Sequence, residues 1–184
     1  ADAQDNPGAG SNSDTTGLLR ALVKHNAQDA AIGLIVDPEA ARMAFEAGAG
    51  ATIRLAIGGK SGLEDDEPFE ADFFVEAVST GKAEAKGPYY SGFTLDMGLS
   101  ACLRIGGVRV VLASNKVQLA DRVMFSYVGI DALKQKILVV KSAVHFRADF
   151  TPIAEEIIVA AAPGSMPMIL SQLPWKNLPA DIRV

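Results

Sequence analysis

The feature that most constrains this chain is a sharply punctuated strand–helix–strand signal. Residues 30–36, Ala-Ala-Ile-Gly-Leu-Ile-Val, contain no polar side chain. An apolar run of that length without alternation fits a strand covered on both faces. Asp37-Pro38-Glu39 follows at once. It offers a capping acid, a proline at the first helical position and an acid in the first turn. Gly48 supplies a stop, and residues 51–57 read as a second strand. Tight connections of this kind predict a βαβ unit, hence a parallel, right-handed strand pair.

The flanking sequence extends that core. The opening residues, Asp5 to Asp14, are small and polar and predict a loop, with Asp14 or Ser13 capping the following helix. Leu18, Leu19, Leu22 and Val23 fall on one face of that helix, and His25 and Asn26 lie near its end. Residues 58–68 form a loop whose acids, Glu64 to Glu67, read as a solvated tip. From about residue 69 to 118 the pattern turns β-rich, and Gly106-Gly107 between two such runs predicts a hairpin. Asp121 is placed to cap a short helix through Tyr127. Residues 137–140 form a buried strand and 157–161 a final one. The expected fold is α/β, a mixed sheet with flanking helices and a β-rich antiparallel insert at about 69–118. Residues 1–164 form the domain; the Pro-rich tail, 165–184, crosses its surface with Trp175 as an anchor.

Composition narrows the function classes. At 49% hydrophobic and 21% charged, the chain has the make-up of a globular protein. A net charge of −5 argues against a nucleic-acid binder or an anionic-membrane binder, since both favour basic surfaces. No apolar run nears the ~20 residues of a membrane span, and no signal peptide opens the chain. Cys102 is alone, which rules out an internal disulfide and fits a reducing, cytoplasmic setting. The first residue is Ala1 rather than Met, so a preceding part of a longer protein is expected.

Local motifs are sparse. The opening glycines match neither a P-loop nor a dinucleotide fingerprint, which disfavours nucleotide binding. His25 and His145 stand in no metal-ligand spacing, and a catalytic zinc normally has three protein ligands. Lys141-Ser142-Ala143-Val144-His145-Phe146-Arg147 follows a buried strand, where α/β proteins place ligands. Lys141, Ser142, His145 and Arg147 make a polar, cationic set suited to carboxylate or carbonyl recognition, or a helix start with solvated charges. No nucleophile elbow surrounds Ser142, which disfavours a serine hydrolase. Gly58-Gly59-Lys60 ends a strand as a turn or a pocket wall. Arg104 and Arg109 read as exposed strand residues.

Longer stretches carry a resemblance. Asp5-Asn6-Pro7-Gly8-x-Gly10, Val36-Asp37-Pro38-Glu39-Ala40 and Gly58-Gly59-Lys60 open it. Lys86-Gly87-Pro88, Asp96-Met97-Gly98 and Leu103-Arg104-Ile105-Gly106-Gly107-Val108 continue it in order. Val128-Gly129-Ile130-Asp131, Val139-Val140-Lys141-Ser142, His145-Phe146-Arg147-Ala148-x-Phe150-x-Pro152 and Ala162-Pro163-Gly164 complete it. Together they resemble the C-terminal domain of the microcystinase C (MlrC) family, regarded as zinc-dependent metallopeptidases acting on linearised microcystin. The resemblance implies hydrolysis of amide bonds in peptide-like substrates. It places the zinc ligands in a preceding N-terminal domain, the expected partner, with no zinc bound by this chain alone. This chain would then be inactive by itself and supply a cleft wall and substrate-orienting groups. The candidates are Asp5, Asn6 and Gly8 in the first loop, with Lys141, Ser142, His145 and Arg147. Ala9 departs from the family loop, where a glycine is expected, and Ser11-Asn12-Ser13 adds a polar insert. The alternative is a non-catalytic binding or assembly module, and homo-oligomerisation is left open.

Overall fold

Every strand predicted between residues 30 and 140 forms, but the sheet connects them differently. The structure, a computed structural model, describes residues 1–179 and 181–183, with only the backbone of Gln172. Helix α1 is Gly17–Lys24, strand β1 is Ala30–Val36, helix α2 is Pro38–Ala47 and strand β2 is Thr52–Ile57. The β-rich segment supplies β3 (Phe69–Ser79), β4 (Lys82–Glu84), β5 (Thr94–Asp96), β6 (Ser100–Ile105) and β7 (Val108–Ala113). Helix α3 (Val123–Ser126), strand β8 (Ile137–Val140) and helix α4 (Arg147–Phe150) follow. The main sheet has the order β2-β3-β6-β7-β1-β8, and β4 and β5 pair in a separate antiparallel ribbon.

Strand β1 is parallel to both neighbours, β7 and β8. The other pairings are antiparallel. This corrects the expected βαβ pair. Strand β2 lies at the far edge and, traced through the pairings, runs opposite to β1. The local signals were sound: Asp37 Oδ1 accepts from Ala40 N at 3.1 Å, and Gly48 closes α2. What they do not encode is that β3 folds back on β2 while β6 and β7 come between. Helix α2 packs over β2, β3, β6 and β7 and carries the chain across them.

Both faces of the central strands are covered, which explains the unbroken apolar run of β1. Ile32, Ile35, Val110 and Leu112 join Leu19 of α1 and Ala40, Ala41 and Ala44 of α2 on one face. Leu34, Val111, Cys102 and Val140 meet Phe125 of α3 and Phe146 and Phe150 of the α4 region on the other. Each large apolar side chain buried in this way contributes about 1.5–3 kcal/mol.

Three further expectations are corrected. Asp14 and Ser13 do not cap α1; Thr16 is its N-cap, and Asp66 Oδ1 accepts from Thr16 N at 2.9 Å and Thr16 Oγ1 at 3.0 Å. The acidic tip is therefore not wholly solvated. One of its acids turns inward to the positive end of α1, bonding an N-cap 50 residues earlier. The strand predicted at 157–161 reduces to one parallel bridge, Asp2 to Ala160. Asp2 N already takes the Val140 carbonyl at the open edge of β8, so residue 160 meets the chain's first residues instead of the sheet. Among the described residues no helix is long and apolar enough to cross a membrane.

Candidate functional site

The parallel strands β7, β1 and β8 end together, and polar residues follow each of them. Asp37 follows β1, the segment from Ser114 to Gln118 follows β7, and Lys141-Ser142 follows β8. The opening loop lies across this edge, as loops do where α/β sheets place ligands. Its anchor is electrostatic. Lys141 Nζ is 2.7 Å from Asp5 Oδ2, 2.9 Å from Asp2 Oδ2 and 2.8 Å from Thr15 Oγ1. Asp5 also accepts from Ser11 Oγ, Ser13 N, Thr15 N and Thr15 Oγ1, which occupies both carboxylate oxygens. Burial by itself raises the proton affinity of Asp5, but the Lys141 charge and these donors outweigh it and hold the carboxyl at about 2. For Asp2 burial wins over Lys141, and its pKa is raised. The difference follows from the donors: Asp2 Oδ1 is buried and has no partner among the described residues.

A second polar group sits beside the first. Asn6 Oδ1 accepts from Gly8 N at 2.9 Å and starts the short 3-10 turn Pro7–Ala9. Gly8 lies hard against the Gln118 carboxamide, and a Cβ there would overlap it. Gln118 Nε2 donates to Ser142 Oγ at 2.9 Å. The His145 Nδ1 atom is 3.2 Å from that nitrogen and 3.3 Å from Gln118 Oε1. Gln118 can therefore serve either imidazole tautomer, donating to a bare Nδ1 or accepting from a protonated one. Tyr89 stacks on the exposed His145 ring at 4.2 Å between centroids. Tyr90 Oη donates to the Gln118 carbonyl at 3.2 Å, and burial pushes its pKa up to about 12.

A third group closes the other side. Asp14 Oδ2 accepts from Lys60 N and Ser61 N, both at 3.0 Å, and Asp37 Oδ2 accepts from Gly58 N at 3.1 Å. Gly58 and Gly59 both have φ of +60°, and a Cβ on Gly58 would strike the Asp14 carbonyl. The Gly-Gly-Lys turn is thus required to wrap the two acids. Between this turn and the first loop lies a polar hollow of about 150 Å³, bounded by Asp5, Asp14, Thr15 and Ser61 among others.

Sequence comparison places this arrangement. The family described as "MlrC C-terminus" matches residues 1–177. The chain belongs to the MlrC C-terminal family. Microcystinase C of Sphingomonas sp is 30% identical over 161 residues, which are 88% of this chain and 31% of that protein. A crystal structure of a "Putative metallopeptidase" from Mesorhizobium sp. BNC1 matches with a TM-score of 0.85 at 27% identity, over 96% of this chain and 35% of that one. The MlrC C-terminal chain thus spans about a third of the length of these relatives.

The MlrC C-terminal fold brings Asp5 onto Lys141, and Gly8, Ser142 and His145 onto Gln118, with different exposures. Asp5, Asn6, Lys141 and Ser142 are buried, whereas His145 and Arg147 are exposed. The Arg147 guanidinium lies 5.3 Å from the Phe146 ring centroid. Lys141 presents no free charge, because two carboxylates surround it. Ser142 and His145 are bridged by Gln118, a residue the motifs did not point to. Its only signal was a lone amide in the run Val117-Gln118-Leu119-Ala120. Tyr89 was missed as well, although Pro88-Tyr89-Tyr90 places two aromatics in a loop. A larger hollow, about 380 Å³, lies between Lys86, Asp121, Arg122 and Leu133. Its buried acids are committed: Asp121 accepts from Lys86 N, Gly87 N and Val123 N, and Asp149 pairs with Arg122. The strand-edge site has more convergent polar groups and is the stronger candidate.

Among the described residues, no three His, Cys, Asp or Glu side chains gather to hold a metal ion. Asp5 and Asp14 have their oxygens filled by protein donors. The described residues of this MlrC C-terminal domain therefore do not fit a zinc site.

Proposed function

We propose that this chain is the C-terminal domain of a microcystinase C-like zinc metallopeptidase that hydrolyses amide bonds in peptide-like substrates. The family match over residues 1–177 supports this reading. The observation that carries the domain's own role is the exposed His145–Tyr89 stack held by Gln118 at the end of the parallel strands. Zinc and its ligands belong to the preceding part of the longer protein. This chain supplies one wall of the cleft.

Each element of that wall has a distinct task. The Tyr89 ring offers a flat apolar surface for a substrate side chain. His145, with Nδ1 held by Gln118, offers Nε2 to a substrate carbonyl or amide. The first loop, locked by Lys141 and Asp5, fixes where the Asn6–Gly8 backbone meets the substrate. Lys141 and Ser142 act from beneath by positioning, since neither reaches solvent.

The test uses the full-length protein and a linear peptide substrate. His145→Ala and Tyr89→Ala should lower kcat/KM by about 10- to 100-fold. They should leave the zinc content unchanged. Wild-type kcat/KM in both variants would overturn the assigned wall, and peptide hydrolysis by the 184-residue chain alone would overturn the division of labour.

A further inference from the structure

The exposed apolar residues are not scattered. Among the described residues, eight of the fourteen exposed large hydrophobic side chains lie between residues 158 and 182. They include Ile158 at 67%, Ile169 at 53% and Trp175 at 48% exposure. Single exposed apolar residues are ordinary, but a concentration in one segment marks an interaction surface. The segment is also organised. Trp175 Nε1 donates to the Leu170 carbonyl at 2.7 Å, and Leu173 N donates to the same carbonyl at 3.1 Å. This fixes the indole while leaving half of it uncovered, as in residues that anchor interfaces.

The chain's start lies against this segment. Ala160 N donates to the Ala1 carbonyl at 2.9 Å, and Asp2 bridges Ala160. Anything joined ahead of Ala1 is therefore delivered beside Ile158 and Val159. In the relatives about two thirds of the length lies outside the matched part, and the matched family is named for a C-terminus. We infer that the exposed apolar side chains of Ile158, Val159, Met168, Ile169, Leu170 and Trp175 form the surface on which the preceding domain of the longer protein packs. The inference rests on the reading that this chain is one domain of such a protein. A surface of this kind holds the two halves of the cleft in register.

Hydroxyl-radical footprinting reads Met168 and Trp175 side chains directly. Their oxidation should be about fivefold slower or more in the full-length protein than in the 184-residue chain. Met43 on α2 serves as the internal reference. Ile169→Asp in the full-length protein should return both rates towards those of the shorter chain. The same substitution should leave the thermal midpoint of the shorter chain unchanged. Equal rates in the two proteins, or protection that survives Ile169→Asp, would overturn the inference. So would protection of the shorter chain that grows with its concentration, which would assign the strip to a second copy. The two readings fail separately: protection without peptide hydrolysis removes the peptidase chemistry and keeps the surface, and hydrolysis without protection does the reverse.

Discussion

Lys141 Nζ lies 2.7 Å from Asp5 Oδ2, joining residues 136 apart in sequence, and neither side chain is more than 1% exposed. This pair ties the loop that opens the chain to the end of its last sheet strand. Removing only the cation would leave two carboxylates buried, a change that costs about 3–5 kcal/mol. Lys141→Met should therefore lower the urea midpoint severely. Adding Asp5→Asn should recover part of the loss, because neighbours in one network are not additive. A Lys141→Met midpoint within error of the parent would show that the pair does not anchor the loop.

The same cluster sets a pH dependence with two opposing parts. Asp5 is held at about 2, below the 3.8 of a free side chain. Its contribution is full above that free value and is lost as the pH falls towards 2, on the order of 2–3 kcal/mol. Asp2 is raised above 3.8, so its protonated form is the one folding favours. Its contribution is present at low pH and lost as the pH rises through the raised value. Thermal midpoints from about pH 2 to 7 should show Asp5→Asn flattening the acid limb and Asp2→Asn removing the decline above it. An unchanged acid limb in Asp5→Asn would refute the assignment.

Much of this fold was legible because its signals are local. Asp37, Pro38 and Gly48 bound α2 as their chemistry requires, and Gly106-Gly107 turns β6 into β7. Strand order was not legible, since nothing within β1, α2 or β2 states that three other strands come between. The same division runs through the site. Lys141 and Asp5 could be singled out by motif, but their pairing depends on contacts across the whole chain. Asp66 as the acceptor at the start of α1, and Gln118 between Ser142 and His145, depend on tertiary geometry alone.

Cys102 should be chemically silent while the protein is folded. Burial, followed by the nearby Glu76 carboxylate, pushes its thiol up to about 12. The thiolate is the reactive form, so its population near neutral pH falls on the order of a thousandfold below that of an exposed cysteine. Labelling by a thiol-specific disulfide reagent should be slow in buffer and stoichiometric in urea. Equal rates in the two conditions would contradict the burial of this side chain on the inner face of β6.

Gly8 and Gln118 give the sharpest handle on His145. Alanine at Gly8 would push its Cβ into the Gln118 carboxamide, whose flexible end can move aside. The fold should therefore survive Gly8→Ala with a small loss of stability, about 1 kcal/mol or less. The displaced amide would no longer hold His145 Nδ1, so the imidazole loses a partner able to meet either tautomer. Gln118→Glu makes the contrasting change, because an ionised carboxylate only accepts and favours the Nδ1–H form. Nitrogen-15 spectra of labelled histidine should show mixed tautomers in Gly8→Ala and a dominant Nδ1–H tautomer in Gln118→Glu. The two variants should also differ in kcat/KM of the full-length protein. Identical histidine spectra in the parent and both variants would mean that Gln118 does not govern the imidazole, and the exposed His145–Tyr89 stack would lose its positioning residue.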